Sequence, residues 1–295
     1  MNLTIDNALV DRLLAKQMPQ WATLSRRLVE PLGSDNVMIR LGDTLAMRLP
    51  RTHQASAALN KEQQFLPRLA PHLPLEIPAP LAFGEPDSSY PCSWSVCPWF
   101  VGRNPEPGEA GIALAGDLAA FVRTLHGIDT FGLKSKGPLH SYRAASIRLR
   151  DEITRKSIEE CEGLIDRKQL AKIWAQVKRV EDFAGPYVWT HSDLHPGNLL
   201  MRSGKLAAVI DWGSLILGDP SIDCIVAWNL LTPGTRSTFR ALLGADDATW
   251  RRGRAWALSI ALVALPYYIH TNQQITAWAR YTIRQIVDEV SWQIL

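Results

Sequence analysis

Apolar and polar positions follow two rhythms along the chain, and the rhythm changes near residue 101. Asp6 is placed to cap a helix over "NALVDRLLAK". Short alternating or apolar runs follow at 24–32, 36–41 and 44–50, which read as strands joined by turns at Gly33-Ser34-Asp35 and Gly42-Asp43. The spacing then predicts a helix over 55–70, stopping before "PHLPLEIPAP", and strands around "LAFGE" and "CSWSVCPWF". The segment "VGRNPEPGEAG", 101–111, has linker chemistry. Beyond it Leu118, Phe121, Val122 and Leu125 recur at i, i+3, i+4 and i+7, one face of a helix. Helical patterns continue near 142–160, 167–183, 220–231, 236–243 and 250–290, and only 187–210 departs from them, as two or three short apolar strands. The expected architecture is α+β in two lobes. Residues 1–97 supply a small antiparallel sheet with one key helix, and 98–295 a larger, mostly helical lobe.

A chain of 295 residues, 46% hydrophobic and 21% charged, can bury a core of that size. Its net charge of +3, with no run of Lys or Arg, gives no footprint for nucleic acid. Cys92, Cys97, Cys161 and Cys224 have no metal-binding spacing and read as free buried thiols of a reducing compartment. The amino-terminal residues lack a basic start and a cleavage pattern, and "AWALSIALVALPYYI" is shorter than a bilayer span. A cytoplasmic protein without a membrane partner is the expectation. The oligomeric state is not legible.

Three polar clusters interrupt the second rhythm: "HSDLHPGN" at 191–198, "IDWGS" at 210–214 and "GDPSID" at 218–223. A hairpin turning at "RSGK", 202–205, is expected to bring Asp193, Asn198 and Asp211 together. Hard oxygen donors of this kind suit Mg²⁺. The spacing from Asp193 to Asn198 is that of the kinase catalytic loop H-R-D-x-x-x-x-N, and Asp211, followed by Trp212 and Gly213, stands where the D-F-G aspartate would. Phosphoryl transfer needs such a set. One Asp takes the proton of the attacking hydroxyl, while an Asn and a second Asp hold Mg²⁺ on the phosphates.

The first lobe carries the matching parts in order. "LGSDN", 32–36, can turn the backbone N–H groups of Gly33, Ser34, Asp35 and Asn36 toward phosphate. Arg48 is a cation in an apolar strand, and Glu62 lies on the next helix. An Arg48–Glu62 ion pair would replace the Lys–Glu pair of kinases.

On these motifs, which run over nearly the whole chain, the sequence resembles the aminoglycoside/macrolide phosphotransferases, small-molecule kinases with a protein-kinase-like fold. The resemblance implies Asp193 as catalytic base, Asn198 and Asp211 as Mg²⁺ ligands, and Arg48 as the contact to the α/β-phosphates of ATP or GTP. It also implies that "SVCPW", 95–99, is the hinge, with backbone groups of Cys97 and Trp99 meeting the base. Arg48, where many relatives carry Lys, tilts the likeness toward the macrolide kinases.

The remaining polar residues have plainer readings. His191 and His195 have the spacing of zinc ligands on a helix, but Pro196-Gly197 breaks any helix there, so they are expected to support the loop. Asp219 and Asp223 read either as helix caps or as loop anchors. Only seven residues separate Asp211 from Asp219, which leaves no activation loop for a protein substrate. From Cys224 onward there are four acids, five Trp, three Tyr and seven Arg, a poor lining for a polycation and a better one for a bulky, partly apolar alcohol. Six acids within 151–166 weigh the other way. Trp228, Tyr267 and Tyr268 are the candidate acceptor contacts. The alternatives are a metabolic kinase for choline, homoserine or a sugar, and a non-catalytic nucleotide-binding pseudokinase.

Overall fold

The structure is a computed structural model that describes residues 5–30, 35–109, 111–161 and 163–292. The chain divides into two compact units. The first comprises the described residues of Met1–Pro71, with Glu76–Val101 and Val209–Ser214.

In this unit α1 (Asn7–Gln17) starts where Asp6 Oδ1 accepts the Leu9 N–H at 2.8 Å. Its apolar stripe, Leu9, Val10, Leu13 and Leu14, packs in one core with sheet residues Ile39, Leu41, Met47, Trp94 and Val96. Strands β1 (Arg26–Leu28), β2 (Asn36–Leu41), β3 (Leu45–Pro50), β4 (Ala82–Gly84) and β5 (Trp94–Pro98) pair antiparallel in the order β1-β2-β3-β5-β4. The interior strand β3 is buried on both faces from Ala46 to Pro50, so its one charge, Arg48, needs a partner. Helix α2 (His53–Leu69), capped by Thr52, supplies Glu62 from a face that also buries Leu59, Phe65, Leu66 and Leu69.

The second unit comprises His72–Leu75, Gly102–Ala208 and the described residues of Leu215–Leu295. It contains α3 (Ile112–Gly127), α4 (Asp151–Glu160), α5 (Arg167–Val177), α6 (Val226–Asn229), α7 (Pro233–Leu243), α8 (Asp247–Tyr268) and α9 (Gln273–Trp292). Helix α3 buries the predicted face of Leu118, Phe121, Val122 and Leu125. Strand β6 (Val188–Thr190) pairs antiparallel with β9 (Ile216–Gly218), and β7 (Leu199–Arg202) pairs with β8 (Lys205–Val209). The β7–β8 turn puts Ser203 and Gly204 at φ 51° and 77°, the left-handed region a two-residue hairpin turn requires.

Three expectations change. The first unit runs on to Val101, beyond the expected break after Cys97, and takes in 209–214, which the sequence pattern gave to the second lobe. Two hydrogen bonds explain the latter: Val209 N–H donates to the Glu76 carbonyl at 3.0 Å and Lys61 Nζ to the Gly213 carbonyl at 2.9 Å. Strand β9 was not expected. The 250–290 pattern is two helices, separated where Asn272 Oδ1 caps α9 by accepting the Ile275 N–H at 3.0 Å. All four cysteines are free and buried, and among the described residues no helix is long and apolar enough to cross a membrane.

Candidate active site

The segment 191–198 leaves the end of β6 and enters β7 through a tight turn at Pro196–Asn198. One buried carboxylate organises it. Asp223 Oδ1 accepts the Ser192 N–H at 2.7 Å, and its Oδ2 accepts the His191 N–H at 3.1 Å and meets His126 Nε2 at 3.0 Å. Turning two successive N–H groups onto one carboxylate puts Ser192 at φ 66°, a left-handed conformation that costs a non-glycine residue free energy. Asp193 follows directly. Its N–H donates to His191 Nδ1 at 3.2 Å, and its carbonyl accepts from Asn198 Nδ2 at 2.9 Å. Gly197 N–H donates to His195 Nδ1 at 3.1 Å, and the His195 ring stacks on Trp278 with centroids 5.4 Å apart. Both histidines therefore brace the loop. Asp219 caps its own turn through the Ser221 N–H and is also clamped by Arg252 through Nε at 2.6 Å and Nη2 at 3.2 Å, so it is cap and anchor at once.

The Asp193 side chain has a partner that the sequence pattern did not reveal. Arg143 Nη1 donates to its Oδ1 at 2.6 Å and also to the Ser192 carbonyl. Burial would push the Asp193 carboxyl up, but the Arg143 guanidinium, helped by His195 and His191, outweighs it and holds the carboxyl down at about 2. Asn104, from the predicted linker, donates to the carbonyls of Gly197 and Leu199 at 3.1 and 2.9 Å and fixes the far end of the loop.

In the first unit the expected ion pair is present. Arg48 meets Glu62 in a buried bidentate contact through Nη1–Oε2 and through Nη2–Oε1 at 3.1 Å. Burial opposes the Arg48 charge, and Glu62 more than compensates, raising its proton affinity above the ordinary value. Lys61, one residue before Glu62, is buried as well. Burial lowers its pKa to about 8 against the pull of Glu62. Its bond to the Gly213 carbonyl ties α2 to the Asp211 turn. Asp211 sits there at φ 61°, with Trp212 buried beneath it and Trp212 Nε1 donating to the Val209 carbonyl at 2.9 Å. Cys97 pairs with Ala46 in the sheet, and burial raises its thiol to about 11. Trp99 has already given its N–H to the Thr44 carbonyl at 2.7 Å, so only its carbonyl is left for a base. Asp35 precedes β2 and accepts the Arg51 N–H through its carbonyl at 2.8 Å, and Asn36 opens β2 with Oδ1 buried and unpaired. Gly33 and Ser34 lie outside the described residues.

The donors suit Mg²⁺ chemically. Asn198 spends its amide N–H on Asp193, which frees its amide oxygen. The Asp211 carboxylate is exposed and takes no hydrogen bond or ion pair among the described residues. Mg²⁺ typically takes one or two carboxylates and completes its shell with phosphate and water. Among the described residues no three His, Cys, Asp or Glu side chains gather into a metal-ligand group.

Of the three candidate acceptor contacts, Trp228 needs correction. Trp228 is fully buried, packs on Trp250 at 4.6 Å between centroids and gives Nε1 to Glu289 at 2.7 Å, so it is core and touches no acceptor. Tyr267 and Tyr268 pair edge to face at the end of α8, roughly two turns beyond Ile260. Ile260 belongs to a small cavity beside Asp193 that is also lined by His195, Asn229, Ala257, Trp278 and Thr282, and neither tyrosine reaches it. Two of its lining residues carry a buried polar atom without a partner, Asn229 Oδ1 and Trp278 Nε1. Trp278 carried the same aromatic signal as Trp228; nothing in the sequence separates the two.

The family model for the phosphotransferase enzyme family matches residues 29–256. No curated protein matches. Among solved structures, the GDP complex of aminoglycoside 2'-phosphotransferase-IIIa superposes with a TM-score of 0.71 at 17% identity, covering 97% of this chain and 100% of that one. The GDP and kanamycin complex of APH(2")-IIia gives 0.70 at 19%, covering 97% and 99%. The macrolide 2'-phosphotransferase MphH from Brachybacterium faecium gives 0.63 at 19%, covering 95% and 97%.

Proposed function

The chain belongs to the phosphotransferase enzyme family and has its kinase-like α+β fold, and from that premise we propose that it moves the γ-phosphate of ATP or GTP onto a hydroxyl of a small molecule. In this reading Asp193 receives the hydroxyl proton. The hydroxyl oxygen bonds to phosphorus as the bond to the β-phosphate oxygen breaks, and the nucleoside diphosphate leaves with the electron pair. Asn198 and Asp211 would hold Mg²⁺, which would supply neutralisation of phosphate charge. Arg48, oriented by Glu62, meets the α/β-phosphates. Of the expected hinge groups, the Trp99 carbonyl is the one left to meet the base, since the Cys97 backbone pairs with Ala46 in the sheet. The protein's work is positioning and charge neutralisation.

The observation that carries this reading is the loop itself. Asp193 stands on a left-handed turn braced by Asp223, with Asn198 hydrogen-bonded to its carbonyl. The solved relatives that hold GDP or kanamycin support a nucleotide donor and an antibiotic-type acceptor. The scarcity of acids after Cys224 favours a macrolide-type acceptor over an aminoglycoside.

Replacing Asp193 tests the reading. Asp193→Ala is expected to lower turnover by about 10²–10⁴-fold with nucleotide binding intact. Retention of more than about a tenth of the rate would refute the base assignment. A nucleotide-consumption screen with erythromycin, kanamycin, choline and homoserine separates antibiotic from metabolic acceptors. Tight nucleotide binding without turnover on any of them would point to the pseudokinase.

A further inference from the structure

Arg143 and Arg150 flank a single aromatic ring. Their guanidinium carbons lie 5.6 and 4.8 Å from the centroid of Tyr142, which is half exposed and packs on Trp256 at 6.4 Å. Two like charges on one ring repel each other. Arg143 is compensated by Asp193. Arg150 takes no carboxylate among the described residues; its Nε donates to Ser259 Oγ at 3.3 Å, which leaves both Nη groups available. The adjacent acid does not relieve it, because Asp151 is committed to Arg155, Lys178 and Trp174 Nε1 at 3.0, 2.7 and 2.8 Å. The cavity beside Asp193 adds no second carboxylate. A half-buried arginine without a counter-ion, next to one engaged by the reacting carboxylate, is a site short of negative charge.

We propose that Arg143 and Arg150 form a phosphoryl-binding subsite on the acceptor side of Asp193, a reading that rests on the phosphotransfer assigned above. A base must lie within a hydrogen bond of the acceptor hydroxyl, about 2.6–3.2 Å. Arg143 Nη1 is 2.6 Å from the same carboxylate, so it stands within two hydrogen-bond lengths of the oxygen that becomes bonded to phosphorus. The ligand is therefore a phosphoryl group, as the nucleotide's γ-phosphate before transfer and as the acceptor's phosphate monoester after it. Arg143 exchanges the Asp193 carboxylate for phosphoryl oxygens when these arrive. The same pair of charges repels a polycationic acceptor.

Inorganic phosphate is the probe, read by tryptophan fluorescence and calorimetry on the full chain saturated with ADP. Saturable binding is expected, weakened about tenfold or more in Arg150→Gln and in Arg143→Gln, with ADP affinity unchanged. Arg150 makes no ion pair among the described residues, so its variant is expected to fold and keeps the test readable if Arg143→Gln does not. Phosphate binding equal to wild type in Arg150→Gln would overturn the subsite. A non-hydrolysable ATP analogue is expected to exclude free phosphate. Simultaneous binding of both would overturn the phosphoryl assignment and give the anion to another part of the acceptor. Loss of all nucleotide binding, with phosphate still dependent on Arg150, would instead refute the phosphotransfer reading and keep the anion site.

Discussion

Lys61 Nζ donates to the carbonyl oxygen of Gly213 at 2.9 Å, a contact spanning 152 residues that holds the Asp211 turn against α2. The ammonium is buried, and burial lowers its pKa from 10.5 to about 8. Between those values the unfolded chain binds a proton that the folded chain has released, so stability rises with pH across that window, at most about 1.4 kcal/mol per pH unit. Lys61→Met lacks this titration. The stability difference, wild type minus variant, is expected to increase from pH 8 to pH 10.5 in denaturant unfolding. A difference that stays constant would refute the burial of a charged Lys61.

Arg48 and Glu62 answer one another's burial, and removing one leaves the other charged inside the sheet–helix core. Arg48→Met is expected to cost about 3–5 kcal/mol in unfolding free energy. The double variant Arg48→Met/Glu62→Met is expected to recover most of that. Arg48→Lys cannot reproduce the fork and is expected to fall between. A double-mutant cycle with a coupling free energy near zero would remove the pair from the stability of this unit.

The elements with strong local signals were legible in sequence. Asp6 before α1 and the apolar face of α3 are local chemistry and stand where they were expected, and the helix expected over 55–70 is α2, opened two residues earlier by the Thr52 cap. The order Arg48, Glu62, Asp193, Asn198 and Asp211 was legible because kinase chemistry fixes residue types at fixed spacings. What escaped was long-range. Strand β9 exists only because β6 pairs with it, and three residues carry no period. Arg143 reaches Asp193 across 50 residues from a turn with no motif. Trp228 failed for a different reason: an aromatic on a helix reads the same whether it lines a cavity or fills the core.

Asp223 reaches the loop through two backbone N–H groups and a histidine, so its effect on turnover is positional. Asp223→Asn keeps one good acceptor and cannot satisfy both N–H groups as the carboxylate does. Turnover is expected to fall about 10²-fold, in line with the cost of small misplacements. Nucleotide affinity measured by calorimetry is expected to be unchanged. Parallel loss of both would mean the substitution unfolds the unit, which a thermal melt would register.

If Asp193 is the base as proposed, Arg143 is also expected to set how the rate depends on pH. With the Asp193 carboxyl held at about 2, below its ordinary 3.8, the pair contributes stability that is full above pH 3.8 and is lost as pH falls through 2. The acid limb of kcat/KM, which reports the free enzyme, therefore does not arise from Asp193 near neutrality. The limb of kcat reports the bound complex, in which the proposed move of Arg143 to the phosphoryl group leaves burial opposed only by His195 and His191. That limb is expected at higher pH than the limb of kcat/KM. In Arg143→Met both limbs are expected to coincide at the higher value, because the carboxyl is relieved of its cation before substrate arrives. Rate profiles from about pH 4 to about pH 8 on wild type and variant check this. Identical profiles for the two proteins would show that Arg143 does not govern the proton affinity of the base.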